Sequence, residues 1–130
     1  MPSIFLAPCS LEVAEELLRF ERDNRSFFEQ HVNARPGNYY SLPGINSAIE
    51  LAQREAREDR GYQYLIRSET GNLLGRVNLR NVRRAHFHSA ELGYRIGESA
   101  CGMGYATEAV RHVLRYAFGA AAMALHSRTR

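Results

Sequence analysis

The most informative part of the sequence is Gly93-Tyr-Arg-Ile-Gly97-Glu-Ser-Ala-Cys-Gly102-Met-Gly104-Tyr-Ala-Thr-Glu-Ala109. It predicts a strand ending near Gly97, a loop with two closely spaced glycines, and a helix from about Tyr105 to Phe118. Glycines let a backbone approach a ligand, and the first N–H groups of a helix have no intrahelical partners. The loop therefore predicts a phosphate site whose donors are the amides of residues 103–107 and the Thr107 hydroxyl.

The same glycines have a simpler interpretation. Gly102 and Gly104 are also what a tight connection between a strand and a helix requires, so the spacing alone leaves both readings open. The loop matches neither the P-loop pattern GxxxxGK[ST] nor the dinucleotide pattern GxGxxG. The nucleotides that those two motifs bind are therefore disfavoured.

The elements around the loop predict one α+β domain, because the order along the chain is strand, helices, antiparallel strands, loop and helix. A chain of 130 residues is long enough for a single core. Ser10 and Ser47 are the predicted N-caps of two helices, and residues 39–44 are predicted as loop. The predicted strands are 3–9, 62–68, 73–81 and 88–96, and the predicted helices before the glycine loop are 11–22, 24–32 and 47–59.

Composition narrows the classes of function. The sequence is 45% hydrophobic and 24% charged, which is ordinary for a globular protein. It has no apolar run of membrane-spanning length and no signal-peptide pattern at its start. All 17 basic residues are arginines, and their scatter disfavours a nucleic-acid surface. Cys9 and Cys101 form no CxxC pair and predict reduced thiols in a cytoplasmic protein.

The glycine stretch resembles the acetyl-CoA-binding motif of the GNAT superfamily of N-acetyltransferases, and more closely its RimJ/RimL branch. The family motif Q/R-x-x-G-x-G/A corresponds to residues 101–106, with Cys101 in place of the opening Gln or Arg. The N-terminal half is similar to the same branch in Arg19-Phe-Glu, in Asn24-Arg-Ser-Phe-Phe28 and in the Tyr39-Tyr40 loop. The resemblance covers nearly the whole chain.

The resemblance implies a GNAT-like mixed, mostly antiparallel sheet with helices on both faces. It also implies acetyl-CoA as co-substrate, with the pyrophosphate on the loop amides and the pantetheine arm along the end of the preceding strand. No metal is implied. The expected cofactor contacts are Tyr94, Arg95, Ile96, Gly97, Gly102, Met103, Gly104, Tyr105, Ala106 and Thr107.

The implied activity is direct transfer of acetyl to a primary amine, with a protein N-terminus as the favoured acceptor. Two alternatives stay open within the family: a small-molecule amine acetyltransferase, and an inactive remnant that only binds acyl-CoA. An unrelated nucleic-acid-binding domain is a third hypothesis, which the scattered arginines disfavour. Because direct transfer needs no enzyme nucleophile, neither cysteine is expected to be catalytic.

Glu91 is the candidate general base. Strand alternation places it on the face of Gly93 and Arg95, opposite Leu92 and Tyr94. In many superfamily members a glutamate on the matching strand acts as base, often through water. The alternative is a solvated carboxylate paired with an arginine. His86 and His88 are second candidates for the base, and their spacing forms no metal pattern.

Aromatic pairs in the N-terminal half have two interpretations. Phe27-Phe28 and Tyr39-Tyr40 are typical of a core, yet they fall in the region that forms the substrate side of the family. Phe28, Tyr39 and Tyr40 are therefore expected to contact the acceptor. The glycines and proline between Arg35 and Gly44 predict a mobile loop over the substrate.

The C-terminal end departs from the family pattern. In the family, the helix after the loop is followed by a fifth strand, another helix and a final pair of strands. Residues 125–130 resemble the approach to that fifth strand, so residues 1–130 are expected to form a single truncated domain without the C-terminal strands. An unpaired sheet edge would then invite homodimerisation.

Overall fold

The computed structural model contains one five-stranded sheet and describes residues 3–30, 34–83, 89–118 and 124–129. The sheet order is β1-β2-β3-β4-β5; the first four strands pair antiparallel, and β5 runs parallel to β4. The strands are β1 Ile4–Pro8, β2 Tyr62–Ser68, β3 Leu73–Arg83, β4 Ser89–Ile96 and β5 Ala124–Thr129. The helices are α1 Ala14–Asp23, α2 Arg25–Glu29, α3 Leu42–Arg57 and α4 Tyr105–Phe118.

Each face of the sheet carries its own core. Ile66, Val77 and Leu92 belong to one apolar cluster, together with Ala109 and Val113 of α4. The opposite face is covered by α1 and α3, whose side chains cluster with Leu65 and the aromatic residues of the N-terminal half. Because successive strand residues face opposite sides, the neighbours Leu65 and Ile66 are both fully buried in different clusters. The predicted α+β class, with helices on both faces, is confirmed.

The elements with strong periodicity lie where the sequence predicted them. The bounds of β2 and α4 are the predicted ones, and β3 continues two residues beyond the predicted end. The predicted second helix is shorter: α2 ends at Glu29, and residues 31–33 lie outside the described residues.

The prediction that α3 begins at Ser47 was wrong. The helix begins at Leu42, and its N-cap is Ser41, whose Oγ accepts the Gly44 N–H at 3.1 Å. The segment expected as a mobile loop instead holds a 3-10 turn, Gly37–Tyr40, followed directly by α3. The sequence misled because Pro43 and Gly44 are typical of loops, although proline is well tolerated in the first turn of a helix.

The sheet extends one strand further than the sequence predicted. Residues expected only to approach a fifth strand form β5, which pairs with β4 from Ser89↔Ala124 to Tyr94↔Thr129. The backbone of β4 supplies a row of hydrogen-bonding groups that β5 satisfies. The edge of the sheet on this side is therefore β5 and not β4, and dimerisation through this edge stays a prediction.

We expect Ser41→Ala to lower the free energy of unfolding by about 1 kcal/mol, because it removes the side-chain cap of α3. Ser47→Ala is the matched control, since Ser47 is exposed inside the same helix. Alanine favours a helix interior, so the control is expected to keep or slightly raise stability. Urea denaturation of both variants measures the difference. A larger loss in the Ser47 variant would return the cap to Ser47.

Candidate functional site

A cavity of about 450 Å³ opens where β4 ends and α4 begins. It brings together eight of the ten residues that the sequence predicted to contact the cofactor. Of the other two, Gly97 lines a neighbouring depression beside Phe20 and Asn24, and Met103 is 56% exposed. The lining residues are Phe27, Phe28, Tyr94, Arg95, Ile96, Ala100, Cys101, Gly102, Gly104, Tyr105, Ala106 and Thr107.

The loop at the mouth of the cavity has the backbone that only glycine adopts readily. Gly102 has φ 78° and Gly104 has φ 82°, both in the left-handed region. The Glu108 N–H donates to the Gly104 carbonyl at 3.2 Å. The amides of residues 105–107 precede this bond and have no intrahelical acceptor. They form the positive end of the α4 dipole, which suits an anion.

Asn24, at the end of α1, holds the start of the loop. Its Oδ1 accepts the Glu98 N–H at 2.9 Å, and its Nδ2 donates to the Phe20 carbonyl at 2.9 Å. A side chain at Gly97 would lie 3.1 Å from the Phe20 ring, so the strand passes α1 closely. The sequence did not assign Asn24 a role in the site. The sequence does contain a signal for this contact: an amide residue directly after an amphipathic helix is typical of a local cap.

Phe28 and Arg95 form one wall of the cavity. The Arg95 guanidinium lies 4.6 Å from the centre of the Phe28 ring, within the range of a cation–π contact. Phe28 also packs at 5.8 Å against the Phe20 ring of α1. The structure thus places one of the three predicted acceptor contacts, Phe28, at the cavity.

The structure places Tyr39 and Tyr40 elsewhere. They are 9% and 8% exposed and lie in the core beneath α1 and α3, with their rings edge to face at 5.1 Å. The Tyr40 carbonyl accepts Arg22 Nη2 at 2.9 Å, and the Tyr39 hydroxyl takes part in a buried cluster. Neither residue lines the cavity. Contact between these tyrosines and an acceptor stays a prediction.

The buried cluster is centred on Glu21 of α1, which is fully buried. Arg76 Nη1 donates to Glu21 Oε1 at 2.6 Å, and Arg95 Nη1 donates to Oε2 at 3.2 Å. The Tyr39 hydroxyl donates to Oε1 at 3.0 Å. Burial raises the pKa of Glu21, but Arg76 and Arg95 outweigh it and hold the pKa below its ordinary value. The carboxylate is therefore charged in the folded state.

No role was predicted for Glu21, although the sequence contains a signal for one. Leu17, Phe20 and Glu21 follow the spacing i, i+3, i+4 that buries one stripe of a helix. A glutamate within such a stripe needs a buried partner, because an unpaired buried charge is costly. The partners come from strands 55 and 74 residues away, so the sequence could indicate that they exist but not which residues they are.

Glu91 lies in a second cavity, of about 570 Å³, together with Glu55, Arg80 and Asn81. Asn81 Nδ2 donates to Glu91 Oε2. Asn81 has φ 51° and sits at an irregularity of the β3–β4 pairing between Arg80 and Arg83, as bulges near functional sites often do. Glu91 precedes Arg95 by four residues, about 13 Å along the strand, so the structure does not place it in the cavity of the glycine loop.

The two histidines named as second candidates for the base, His86 and His88, lie outside the described residues. Within the ranges given above, no group of three or more His, Cys, Asp or Glu side chains is arranged to hold a metal ion. None of the helices in those ranges combines the length and apolar character that crossing a bilayer requires. Cys9 is buried and Cys101 exposed, and both are free thiols.

The family model, the relative and the solved structures that match this chain are all described by acetyltransferase names or by their complexes with coenzyme A. A family model described as "Acetyltransferase (GNAT) domain" matches residues 4–130. The chain is 33% identical over 117 residues to "Probable N-acetyltransferase YjcK" of Bacillus subtilis, covering 89% of this chain and 65% of that protein. Mycobacterium smegmatis RimJ in complex with CoA-disulfide superposes with a TM-score of 0.78 at 22% identity, covering 88% of this chain and 56% of that one.

Two further structures have the same fold. The microcin C7 self-immunity acetyltransferase MccE, in complex with acetyl-CoA and AMP, has a TM-score of 0.78 at 23% identity and covers 86% of this chain and 61% of its own. The ribosomal-protein-S5-alanine acetyltransferase from Vibrio fischeri has a TM-score of 0.77 at 12% identity and covers 88% and 66%. The chain thus spans between 56% and 66% of the length of these relatives.

We expect Glu21→Gln to lower the free energy of unfolding at pH 7 by about 3 kcal/mol, because it leaves two buried arginines without a counter-charge. The folded-state pKa of Glu21 lies below its ordinary value of 4.5. Its contribution is therefore complete above about pH 4.5 and is lost as the pH falls through the folded pKa. Denaturation of the parent and the variant between pH 7 and 3 should show the difference shrinking with acidification.

Glu15→Gln serves as the control on the same helix, since Glu15 is exposed. It should change stability by less than about 0.5 kcal/mol at every pH. A stability difference between the parent and Glu21→Gln that stays constant down to pH 3 would contradict the ionised, buried pair.

Proposed function

The chain belongs to the GNAT acetyltransferase family, and from this we propose that it is an acetyl-CoA-dependent N-acetyltransferase acting on a primary amine. The observation that supports this most is the cavity at the end of β4, which combines an apolar wall with the first amides of α4, which have no intrahelical acceptor. An acyl-CoA carries both an anionic pyrophosphate and a long, mostly apolar arm. The two halves of the cavity suit these two parts.

The pyrophosphate is proposed to bind the amides of residues 103–107 and the Thr107 hydroxyl. Gly102 and Gly104 have positive φ angles and carry no side chain of their own that could cover these amides. The pantetheine arm then follows residues 94–97, next to Phe28. The arm runs along β4 in the direction of Glu91.

The proposed acceptor is the amine of a protein N-terminus. This rests on the similar structures, one of which is named as a ribosomal-protein-S5-alanine acetyltransferase. At 12–22% identity this similarity shows the fold alone, so the acceptor needs its own test. The cytoplasmic location predicted from the cysteines belongs to the same proposal.

The proposed reaction is a direct transfer. The lone pair of the neutral amine attacks the thioester carbonyl carbon, the carbon–sulfur bond breaks, and coenzyme A leaves as thiolate. The nitrogen loses one proton, which Glu91 accepts through a bridging water, and the thiolate takes up one proton. The hydrogen bond from Asn81 orients the Glu91 carboxylate. Asn81 is a positioning residue in this scheme.

We expect Gly104→Val to weaken binding of acetyl-CoA at least tenfold. A β-branched residue is strained at a φ of 82°, and its side chain would stand beside the loop amides. Gly71→Val is the matched control, because Gly71 has φ 92° in the β2–β3 turn with open space around it. Calorimetric titration of the parent and both variants measures the affinities. Equal losses in both variants would mean that strain alone, and not the site, explains the effect.

We expect Glu91→Gln to lower kcat by about 10²-fold, the lower end of the scale for a general base. Glu55→Gln, which removes a carboxylate from the same second cavity, should leave kcat nearly unchanged. Release of free thiol with a peptide acceptor is measured on the 130-residue chain and on a chimaera continued with the C-terminal segment of YjcK. Acetyl-CoA binding without turnover in both proteins would favour the remnant that only binds acyl-CoA.

A further inference from the structure

Two buried arginines lie directly opposite each other on neighbouring strands. Arg76 of β3 pairs with Arg95 of β4 in the sheet register, and they are 8% and 7% exposed. Like charges at directly opposite positions of an antiparallel pair repel each other. Among the described residues, the one carboxylate within 4.0 Å of either guanidinium is that of Glu21. The cluster therefore buries two positive charges against one negative charge.

Glu21 compensates Arg76 more than Arg95. Arg76 donates to Glu21 at 2.6 Å, to the Tyr39 hydroxyl at 2.9 Å and to Gln63 Oε1 at 2.7 Å, whereas Arg95 donates to Glu21 at 3.2 Å. Although burial opposes it, Tyr39 and Glu21 raise the pKa of Arg76 above its ordinary value. Burial lowers the pKa of Arg95, and Glu21 offsets this only in part. The uncompensated positive charge is thus on Arg95.

Arg95 is also the arginine that reaches the cavity. Its guanidinium lies over Phe28, and both residues line the cavity wall. The Arg35 guanidinium, 4.4 Å from the Tyr39 ring centre, adds positive charge to the same side. Strand alternation puts the Arg95 side chain on the sheet face of Glu91, while α4 and its amides lie on the other face. Arg95 therefore enters the cavity from the sheet face of Glu91, whereas the amides enter it from the face of α4.

We propose that Arg95 binds a carboxylate of the amine acceptor, so that the preferred acceptors are amines carrying a carboxylate, such as protein N-termini with an acidic residue close to the end. This rests on the proposed function. A guanidinium has five N–H donors, and among the described residues Arg95 donates to one carboxylate, that of Glu21. A second carboxylate can accept two such donors in parallel. Bound there, the carboxylate supplies the charge that the cluster lacks.

The spacing on β4 indicates where the acidic residue belongs. Glu91 and Arg95 are about 13 Å apart along the strand. An extended peptide advances about 3.4 Å per residue, and a glutamate side chain adds roughly 5 Å. With the amine near Glu91, an acidic side chain at the third position reaches Arg95. The probes are therefore the peptide amides Ser-Ala-Glu-Ala and Ser-Ala-Gln-Ala, which differ only in the charge of one side chain.

Both peptides are titrated calorimetrically into the parent chain with saturating coenzyme A, and again without it. The acidic peptide should bind at least about tenfold more tightly, which corresponds to about 1.4 kcal/mol. Arg95→Met should abolish the preference, and Arg95→Lys should keep part of it. Arg111→Met, which removes an exposed arginine paired with Glu108 on α4, should leave the preference unchanged.

Thermal stability gives a second readout, because replacing a purely structural arginine would lower the melting temperature. Arg95→Met leaves Glu21 paired one-to-one with Arg76, so the melting temperature should stay the same or rise. Arg76→Met is the control at the directly opposite position, and it should lower the melting temperature by about 4 °C or more because it removes the donor that Tyr39, Gln63 and Glu21 share. Equal losses in the two variants would make Arg95 a structural partner and overturn the proposal.

The outcomes separate this inference from the proposed function. If coenzyme A fails to bind the parent chain, the proposed function is wrong, and the titrations without coenzyme A still decide the role of Arg95. If coenzyme A binds and the parent does not distinguish the two peptides, the carboxylate site is wrong and the proposed function stands. If Arg95→Met weakens coenzyme A and leaves the peptide preference intact, Arg95 serves the cofactor and the proposal is overturned.

Discussion

The fold depends on how the buried carboxylate of Glu21 is neutralised. A charge taken out of water is tolerated only when partners surround it, and α1 packs on the sheet in the position that places Glu21 over Arg76 and Arg95. The Tyr39 hydroxyl brings the turn before α3 to the same point. One carboxylate thus connects a helix, a turn and two strands that are distant in sequence.

This connection also sets the wall of the cavity. With Glu21 fixed, the last turn of α1 brings Phe20 against Gly97 and Asn24 against the Glu98 amide. The loop therefore leaves β4 at a defined point before the left-handed glycines turn it into α4. The exposed amides at the start of α4 are positioned by packing on one sheet face, and Phe28 by packing on the other. The cavity is the gap between these two layers at the end of β4.

Patterns of residues close in sequence predicted the local structure, but they did not predict which charged residues pair across long distances in the chain. The strand-forming residues of β2, the apolar stripe of α4 and the glycine loop are each patterns of residues close in sequence, so their bounds and the cavity at the loop were predictable. The start of α3 was missed because Pro43 and Gly44 have both loop and helix-start uses. The pairing of β5 with β4 was missed because it depends on the neighbouring strand. The role of Glu21 was missed because its partners lie on strands whose register no local pattern fixes.

The surplus positive charge at Arg95 has a consequence for how the site discriminates between ligands. An arginine whose counter-charge is shared costs folding stability, and a ligand carboxylate recovers that cost only when it binds. Because β4 also carries Glu91, the distance between the proposed base and the proposed carboxylate site is set by strand geometry and not by a loop. Gly93 lies between them on the same face and contributes no side chain. On these assignments, the fixed spacing of Glu91 and Arg95 on β4 determines which separation of amine and carboxylate fits in the acceptor. A rigid strand holds this spacing more precisely than a mobile loop would.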